Sequence, residues 1–483
     1  WWLFVLLQQL KQFIVPWAVL LFFGRGSSDN GGSNELWPLI GVAVLVVTSL
    51  WQYFTYRYGV AGDHLVVRSG LLERSLRVIP FARIHNVALQ QSVLHRVFGV
   101  AEVRLESAGG RKPEAEMRVL KMEDALALEA LVRRRGGTDV SGASAPEAVA
   151  ADTLLTLSPV EVLKVGLISN RGLILIGAAV AGGSQFSPRL IPNLFEAVVE
   201  RLFGYAGEHG FGPAEYAIAA VSLLALCVVL LRLLSVLLAL LQYFGFRLTE
   251  HERRLTVERG LLGRWRTSAS PRRIQGGTLR VVEVQRVLRR RTLEVDTAVA
   301  EDQNQQRALR EIAPVATPDQ CDALVGHLLP KAMWPLVEWR SLPMSGWWRM
   351  ALPEVLPTLL AAAAMGWRLG PWGLLALLWL PWSGYRGYQR MRRAAYAVND
   401  GIVAVREGWW NRHWRFAEID KLQALQLSRS PIDRRCGTAT LWLDTSGASA
   451  LAPPLRVRFL PEAEAQALYA ALASTLARRP LRW

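Results

Sequence analysis

At 483 residues, with 51% hydrophobic and 20% charged side chains, the chain is too apolar to be fully solvated and too charged to lie wholly in lipid. A formal net charge of +16, from 56 Lys and Arg against 40 Asp and Glu, asks for an anionic partner such as a lipid surface or nucleic acid. Three cysteines (Cys227, Cys321, Cys436) without paired spacing exclude a disulfide framework and a zinc site, and suit a reducing compartment.

The chain opens on apolar residues 13–23, extended backwards by WWLFVLLQQL, and residues 36–54 (LWPLIGVAVLVVTSLWQYF) come closely behind. The second stretch is long enough for a helix that crosses a bilayer, which takes about 20 residues. Its Trp and Tyr near the ends fit interfacial anchors. No A-x-A site precedes it, so a cleavable leader is not expected. Residues 172–183 and 214–241 form a second apolar pair, and residues 352–365 and 372–382, broken by Pro, form a third. A soluble core can hide one such helix but not this set, in which every pair has a short connection. The connections near 24–35, 183–213 and 367–371 hold only Arg25, Arg189, Arg201 and Arg368 among the Lys and Arg. By the positive-inside bias the basic stretches face the cytoplasm and the connections face out. The expectation is an integral, multi-pass membrane protein with six crossings and its basic stretches in the cytoplasm.

Each apolar pair leads into a stretch that is nearly the same all three times. Residues 52–108 fall without a gap on 242–298, an offset of 190, and an offset of 338 carries the second half onto the region around Gly408. Five positions agree in all copies: Val67/Val257/Val405, Gly70/Gly260/Gly408, Arg74/Arg264/Arg412, Leu89/Leu279/Leu427 and Arg96/Arg286/Arg434. Self-similarity at a fixed offset means one module used repeatedly.

Each copy reads as sheet, then helix. In the first, residues 64–68 and 71–79 are rich in Val, Leu and Ile around a Ser69-Gly70 turn. Gly70, Gly260 and Gly408 are expected where the backbone disfavours a Cβ. Val103 and Leu105, Leu293 and Val295, and Leu441 and Leu443 alternate with polar neighbours, the period of a half-buried strand. Leu128/Val132, Leu324/Leu328 and Leu468/Leu472 lie four apart, with Glu123-Asp124, Pro318-Asp319 and Pro461-Glu462 at the starts, so a terminal helix is expected. The result is a small barrel or sandwich capped by a helix.

The string YRYGVAGDHLVVRSGLLERSLRVIPFARIHNVALQQSVLHRVFGVAEVRLESAGG resembles the bacterial pleckstrin-homology (PH) domain of membrane-flanked, YdbT-like proteins, through V-x-x-G, I-P-x-x-R-I, Q-S-x-L-x-R-x-F-G and V-x-x-x-(S/T)-A-G-G. The second copy has Ala269-Ser270 for Ile79-Pro80 and Leu288-Arg289 for Phe98-Gly99. The third has Lys421-Leu422-Gln423 for Arg83-Ile84-His85 and Cys436-Gly437 for Phe98-Gly99. The resemblance implies an α+β membrane protein in which three transmembrane helical hairpins each precede a seven-strand PH-like sandwich with a C-terminal helix. The expected layout is hairpins at 1–55, 161–242 and 331–393, PH-like domains at 56–135, 243–330 and 394–479, and a linker at 136–160, whose residues 136–152 are small and polar like a flexible tether.

The recurrent polar positions, Arg74, Arg264 and Arg412 with Arg96, Arg286 and Arg434, are candidates for contact with an anion, a lipid headgroup or a partner, since a guanidinium forks onto phosphate or carboxylate. A structural ion pair or a solvated strand edge explains the same pattern. Arg253, Arg254, Arg259 and Arg266, then Arg289, Arg290 and Arg291, add density that lipid contact or topology alone would account for. Arg68, Arg74 and Arg77 match the phosphoinositide-gripping hairpin of other PH domains too loosely to carry that ligand over. Nucleic acid is not an expected partner, because no recognition helix or base-stacking signature accompanies the charge. The seven histidines and the glycine loops contain no H-E-x-x-H, G-x-S-x-G or phosphate loop; Gly109-Gly110-Arg111-Lys112 lacks the spacing. No catalytic residue, metal or cofactor is expected. Arg171, Arg232 and Glu354 fall within apolar segments, where a charge suggests function. The expected function is a non-enzymatic membrane scaffold that binds a protein or the headgroup layer. The alternative is a transporter or export-associated protein regulated by its PH-like domains.

Overall fold

A computed structural model describes residues 57–69, 75–81, 84–107, 115–136, 152–186, 212–251, 254–269, 274–297, 310–336, 338–445 and 455–478, with a few isolated residues between 192 and 204. The first apolar pair, Gly70, Arg74 and most of the 136–152 tether lie outside the described residues. The chain divides into two compact units, the first holding residues 1–150, 262–269 and 300–305 and the second the remainder.

In the first unit β1 (Arg57–Ala61), β2 (His64–Ser69) and β3 (Ser75–Pro80) form an antiparallel meander, and β4 (Ile84–Gln91), β5 (Val100–Ser107) and β6 (Ala115–Lys121) form another. The short helix α1 (Val93–Val97) joins β4 to β5, and α2 (Met122–Gly136) closes the copy. The two sheets and α2 bury one cluster that includes Leu65, Val67, Ile79, Leu89, Val103, Leu105, Met117, Leu128 and Val132. The alternation at Val103 and Leu105 and the four-residue spacing at Leu128 and Val132 are therefore core positions. Beyond β4 the sheet continues with β10 (Arg264–Ala269), a strand from the second repeat, which runs antiparallel with Arg264 opposite Gln91 and Thr267 opposite Ala88.

The second unit begins with β7 (Asp152–Thr156), which pairs with β8 (Arg247–His251), which pairs in turn with β9 (Arg254–Arg259). Between β7 and β8 the chain makes the second apolar pair. Ser158 caps α3 (Pro159–Ile168) through a capping box with Glu161; α4 (Arg171–Phe186) comes next at a 52° bend; α5 (Pro213–Tyr243) then runs almost straight into β8. The third repeat is built the same way. Strand β14 (Arg340–Ser341) precedes α8 (Trp347–Leu369) and α9 (Trp379–Arg393), and pairs across them with β15 (Ala395–Val398). Two described helices are long and apolar enough to cross a membrane, over Ala214–Tyr243 and Met344–Arg368, and the bent α3–α4 pair meets the same length and composition only when its two helices are taken together. Residues 372–382, expected as one leg of a hairpin, are not a single α-helix: Gly370–Leu378 is 3-10 and Trp379 starts α9.

Seven strands per sandwich are thus reached in the second and third copies, but the first strand of each comes from before its helical pair. For the second copy that strand lies in residues 136–160, expected as linker. Leu154 and Leu155 there pack against the unit's core, which ties a stretch bordered by polar tether to the fold.

The largest sheet of the second unit joins two repeats. Strands β11 (Ile274–Val281), β12 (Arg291–Thr297) and β13 (Glu311–Ala316) belong to the second repeat, and β15, β16 (Ile402–Glu407) and β17 (Arg412–Glu418) to the third. They meet at β11 and β17, with Val281 opposite Arg412 and Gly276 opposite Ala417. This is the same register as β4 against β10, since Val281 and Arg412 are the repeat equivalents of Gln91 and Arg264. The sheet of β15 to β17 consequently has two buried faces. Ile402, Ala404 and Phe416 point into the second repeat's core, while Val403, Val405 and Ala417 point into the third's. Gly276-Gly277 makes this possible: a Cβ at Gly277 would lie 2.7 Å from the Phe416 ring, and one at Gly276 2.3 Å from the Phe416 carbonyl oxygen. Helix α6 (Glu283–Val287) and α7 (Pro318–Leu328) complete the second repeat; β18 (Leu422–Ser428), α10 (Pro431–Cys436), β19 (Thr438–Thr445), β20 (Leu455–Pro461) and α11 (Glu462–Ala477) complete the third. Gly260 and Gly408 take φ of 112° and 94°, the conformation expected for that repeat position.

Substituting Gly277 by Val should lower the stability of the full chain by about 1–3 kcal/mol through overpacking against Phe416. Phe416→Ala should cost about 3–5 kcal/mol by emptying the site. Thermal melting in detergent reads both, and a Gly277→Val protein that melts with the wild type would overturn this account of the joint.

Candidate functional site

Of the recurrent arginines, Arg264, Arg286 and Arg412 fall where one repeat meets the next. Arg264 and Arg412 are the first residues of β10 and β17, directly opposite the last residues of β4 and β11. Arg96, Arg286 and Arg434 are exposed on α1, α6 and α10. Arg74 lies outside the described residues. Arg286 shows what such a position does: its Nη2 donates to the carbonyl oxygens of Trp409 and Trp410, at 3.1 and 2.9 Å, and so clasps the turn that leads into β17. Arg286 and Arg412 are brought together there. Arg264, Arg96 and Arg434 stand at the corresponding places of other repeats and are not gathered with them into one cluster.

The residue before each helix arginine was not singled out by sequence, because its chemistry changes from copy to copy. His95, Gln285 and Asp433 are all buried and all hold the first turn of their short helix. His95 Nδ1 lies 2.6 Å from Ser92 Oγ. Gln285 Oε1 accepts from the Val282 amide at 2.9 Å, and its Nε2 donates to Thr292 Oγ1 at 2.7 Å. Asp433 accepts from the Ser430 amide and hydroxyl, from Thr438, and from Arg349 at the start of α8. The readable signal was Ser92 and Ser430 three residues ahead, an N-cap spacing. Burial alone would raise the Asp433 carboxyl, but hydrogen bonds from Ser430, Arg349 and Thr438 outweigh it and hold the group at about 2.

Around the Trp409-Trp410 turn the third repeat forms a corner rich in arginine and aromatic rings. Trp409 stacks edge-on with Tyr385 and Trp410, at 5.4 and 5.2 Å, and Trp382 joins the cluster from α9. Arg393, in the last turn of α9, donates to the Trp409 carbonyl at 3.3 Å, and Arg406 donates to the Arg393 carbonyl at 3.1 Å. Arg412 sits among these cations: burial pushes its guanidinium below the usual range, and the charges of Arg286, Arg393 and Arg406 push it further. Its Nε is buried without a hydrogen-bond partner among the described residues.

Beside this corner opens a cavity of about 620 Å³, lined by Trp382, Trp409 and Trp410 together with Arg386, Arg390, Arg456, Arg458, Glu407 and His413. Four guanidinium groups thus face one carboxylate. Glu407 stays ionised: burial would raise it, but His413, 3.6 Å away, and the charge of Arg458 bring it below the usual carboxylate range. The Arg458 Nε is likewise buried and without a partner among the described residues. The second repeat fills the equivalent corner differently. Tyr243, which occupies the place of Met391, is buried, bonds to Glu311 and Arg171, and lies under the guanidiniums of Arg171 and Arg259 at 4.7 and 5.2 Å.

The three charges in apolar segments all have protein partners. Arg171 reaches Gln242, Tyr243 and Glu311. Arg232 Nη1 donates to the carbonyls of Leu167 and Ser169, at 3.1 and 3.3 Å, and to Asn170 at 3.1 Å, capping α3 at the bend. Glu354 pairs with Arg386 and accepts from the Trp379 indole at 3.1 Å. Cys227 and Cys436 are exposed and Cys321 is buried, and among the described residues no group of three or more His, Cys, Asp or Glu could hold a metal ion.

A family model, the bacterial PH domain, matches residues 5–136, 198–325 and 349–476. The chain is 22% identical to the UPF0699 transmembrane protein YdbT of Bacillus subtilis (strain 168) over 450 residues, which cover 89% of this chain and 87% of that one. No solved structure matches it.

The depressed value of Asp433 sets a pH dependence. Its unfolded carboxyl binds protons more readily than its folded one, so its contribution is complete above about pH 4 and disappears as pH falls from there through 2. Asp433→Asn should destabilise the chain at neutral pH, since it leaves Arg349 buried without its charge partner. The variant should also lose less stability than wild type on acidification over that window, as read by denaturant unfolding in detergent; identical pH profiles would overturn the assignment.

Proposed function

The chain belongs to the bacterial PH domain family, and from that premise we propose that it is a non-enzymatic scaffold of the cytoplasmic membrane. In this reading its repeats lie at the inner surface and the cavity of the third repeat takes the headgroup of an anionic lipid.

The observation that carries the reading is the corner at the end of α9. The helix ends on Arg390, Arg392 and Arg393 and passes into β15 with only Ala394 between them, so the third repeat follows directly on a basic helix end. Trp382, Tyr385, Trp409 and Trp410 are the amphipathic rings favoured at that depth. Each arginine near an anionic leaflet gains on the order of 1 kcal/mol, and a guanidinium forks onto a phosphate with two charge-assisted bonds. The cavity supplies Arg390, Arg456 and Arg458 against Glu407, beside Arg386, which is paired with Glu354.

The membrane arrangement is supported by backbone pairing. Strands β7 and β8 flank α3, α4 and α5 and hydrogen-bond to each other, as β14 and β15 do around α8 and α9. Paired strands share one aqueous side, so the chain between them crosses an even number of times. The bent α3–α4 pair acts as one leg with α5, and α8 as one leg with the Gly370–Arg393 stretch. Arg171, Arg232 and Glu354 are engaged with helix ends and neighbouring side chains, which favours anchoring over transport.

Purified full chain should retain phosphatidylglycerol over phosphatidylcholine in mixed nanodiscs, read by native mass spectrometry. Arg456→Gln combined with Arg458→Gln should cut that preference about thirtyfold, from about 1 kcal/mol per charge. Equal retention would sink the headgroup reading, and competition by inorganic phosphate alone would reassign the site to a free anion. For orientation, a reporter fused after Gly110, Gly210, Glu301 or Gly447 should signal from outside only at Gly210.

A further inference from the structure

Twice in this chain, the first strand of a repeat's second sheet takes the third strand of the next repeat: β4 takes β10, and β11 takes β17, in equivalent registers. The corresponding strand of the last repeat is β18, which among the described residues pairs only with β19. The corresponding third strand of the first repeat is β3, at the edge of its described three-stranded sheet. The geometry points to a second copy of this chain as the occupant of β18: its β3 adds antiparallel, with Leu76 opposite Leu427 and Val78 opposite Leu425.

The side chains carry the mark of such a joint left open. Val78 is 53% exposed, whereas Ser268 and Phe416, its equivalents in the two formed joints, are 4% and 3% exposed. Leu76, beside it on the same face, is 66% exposed. On the receiving strand Leu427 is only partly buried, although Leu89 and Leu279 at the same repeat position are buried. Among the described residues, β3 and β18 therefore present apolar groups where the two formed joints hide them. Charge agrees as well. Arg434 stands exposed at the place from which Arg286 clasps the backbone of the following repeat, and serves the incoming copy in the same way. An exposed edge with apolar neighbours is a template for another strand, and the repeats themselves show which strand fits. Because donor and acceptor surfaces differ, the contact is head-to-tail and propagates into a ring or an open row.

The test uses the full chain with the exposed Cys227 and Cys436 replaced by serine. Two differently tagged forms, one carrying Val78→Cys and the other Leu425→Cys, are co-expressed and oxidised in native membranes. A disulfide linking the two tags is expected, with little or none when Ser428→Cys replaces Leu425→Cys, because that position is three residues out of register and beyond disulfide reach. In detergent the wild type should run as a multiple of the single-chain mass. Leu76→Lys with Val78→Lys, both exposed and so outside the core, should reduce it to one chain, and Arg434→Ala should shift the midpoint of assembly several-fold in concentration. Absence of the mixed-tag disulfide, equal yield at Ser428, or a wild-type mass of one chain at all concentrations would overturn the proposal. Failure of lipid retention at the cavity would leave it standing, since the two use different surfaces.

Discussion

A sheet edge is a row of amide and carbonyl groups that must be hydrogen-bonded, hidden or hydrated, and the organisation of this protein comes from how it meets that demand. In the first two repeats the second sheet ends on a strand, β4 or β11, whose outer side is completed by a strand of the next repeat. The sheet of β15 to β17 therefore serves two cores at once, through Ile402 and Phe416 on one face and Val403 and Val405 on the other. Gly276-Gly277 and Phe416 are the side-chain expression of that sharing, and Arg286 is its clasp. Strands of the second and third repeats thereby become one continuous sheet within the second unit.

The second organising contact joins each described helical pair to the sheet that follows it, with three residues between α5 and β8 and only Ala394 between α9 and β15. In the second repeat the corner is occupied by the bonded group of Tyr243, Arg171, Arg259 and Glu311. In the third, Met391 and Glu407 occupy the places of Tyr243 and Arg259, and the adjoining space opens into a cavity edged by tryptophan and arginine. Divergence at two repeat-equivalent positions thus separates an anchoring corner from one with room for a ligand. The ion pair of Arg349 with Asp433 adds a tie from α8 to α10 in the third repeat.

Much of this was legible in the residues. The offset between copies, the alternation at Leu293 and Val295 and the spacing of Leu324 and Leu328 identified the module, its core face and its closing helix. Gly260 and Gly408 marked a positive φ because few other residues tolerate one. The joints between repeats were not legible, because backbone pairing between distant strands leaves no side-chain period to read. Arg286 and Arg412 were visible as recurrent, but recurrence does not distinguish a grip on an anion from a grip on the next repeat. The buried position shared by His95, Gln285 and Asp433 was masked by its changing chemistry. Strand β7 was hidden by its shortness and by the polar tether before it, and Gly276-Gly277 stood out only as a departure from the first copy.

The early strands β7 and β14 also bear on how the protein is made. Each emerges from the ribosome before the apolar helices it must reach across, and its partner emerges only after them. If the intervening segment were threaded with an odd number of passes, strand and partner would be stranded in different compartments and the sandwich would lack a side. In the proposed membrane arrangement, closure of each later sheet thus depends on the threading of the helices ahead of it: an even number of passes brings strand and partner together, and an odd number leaves the sheet with an open edge.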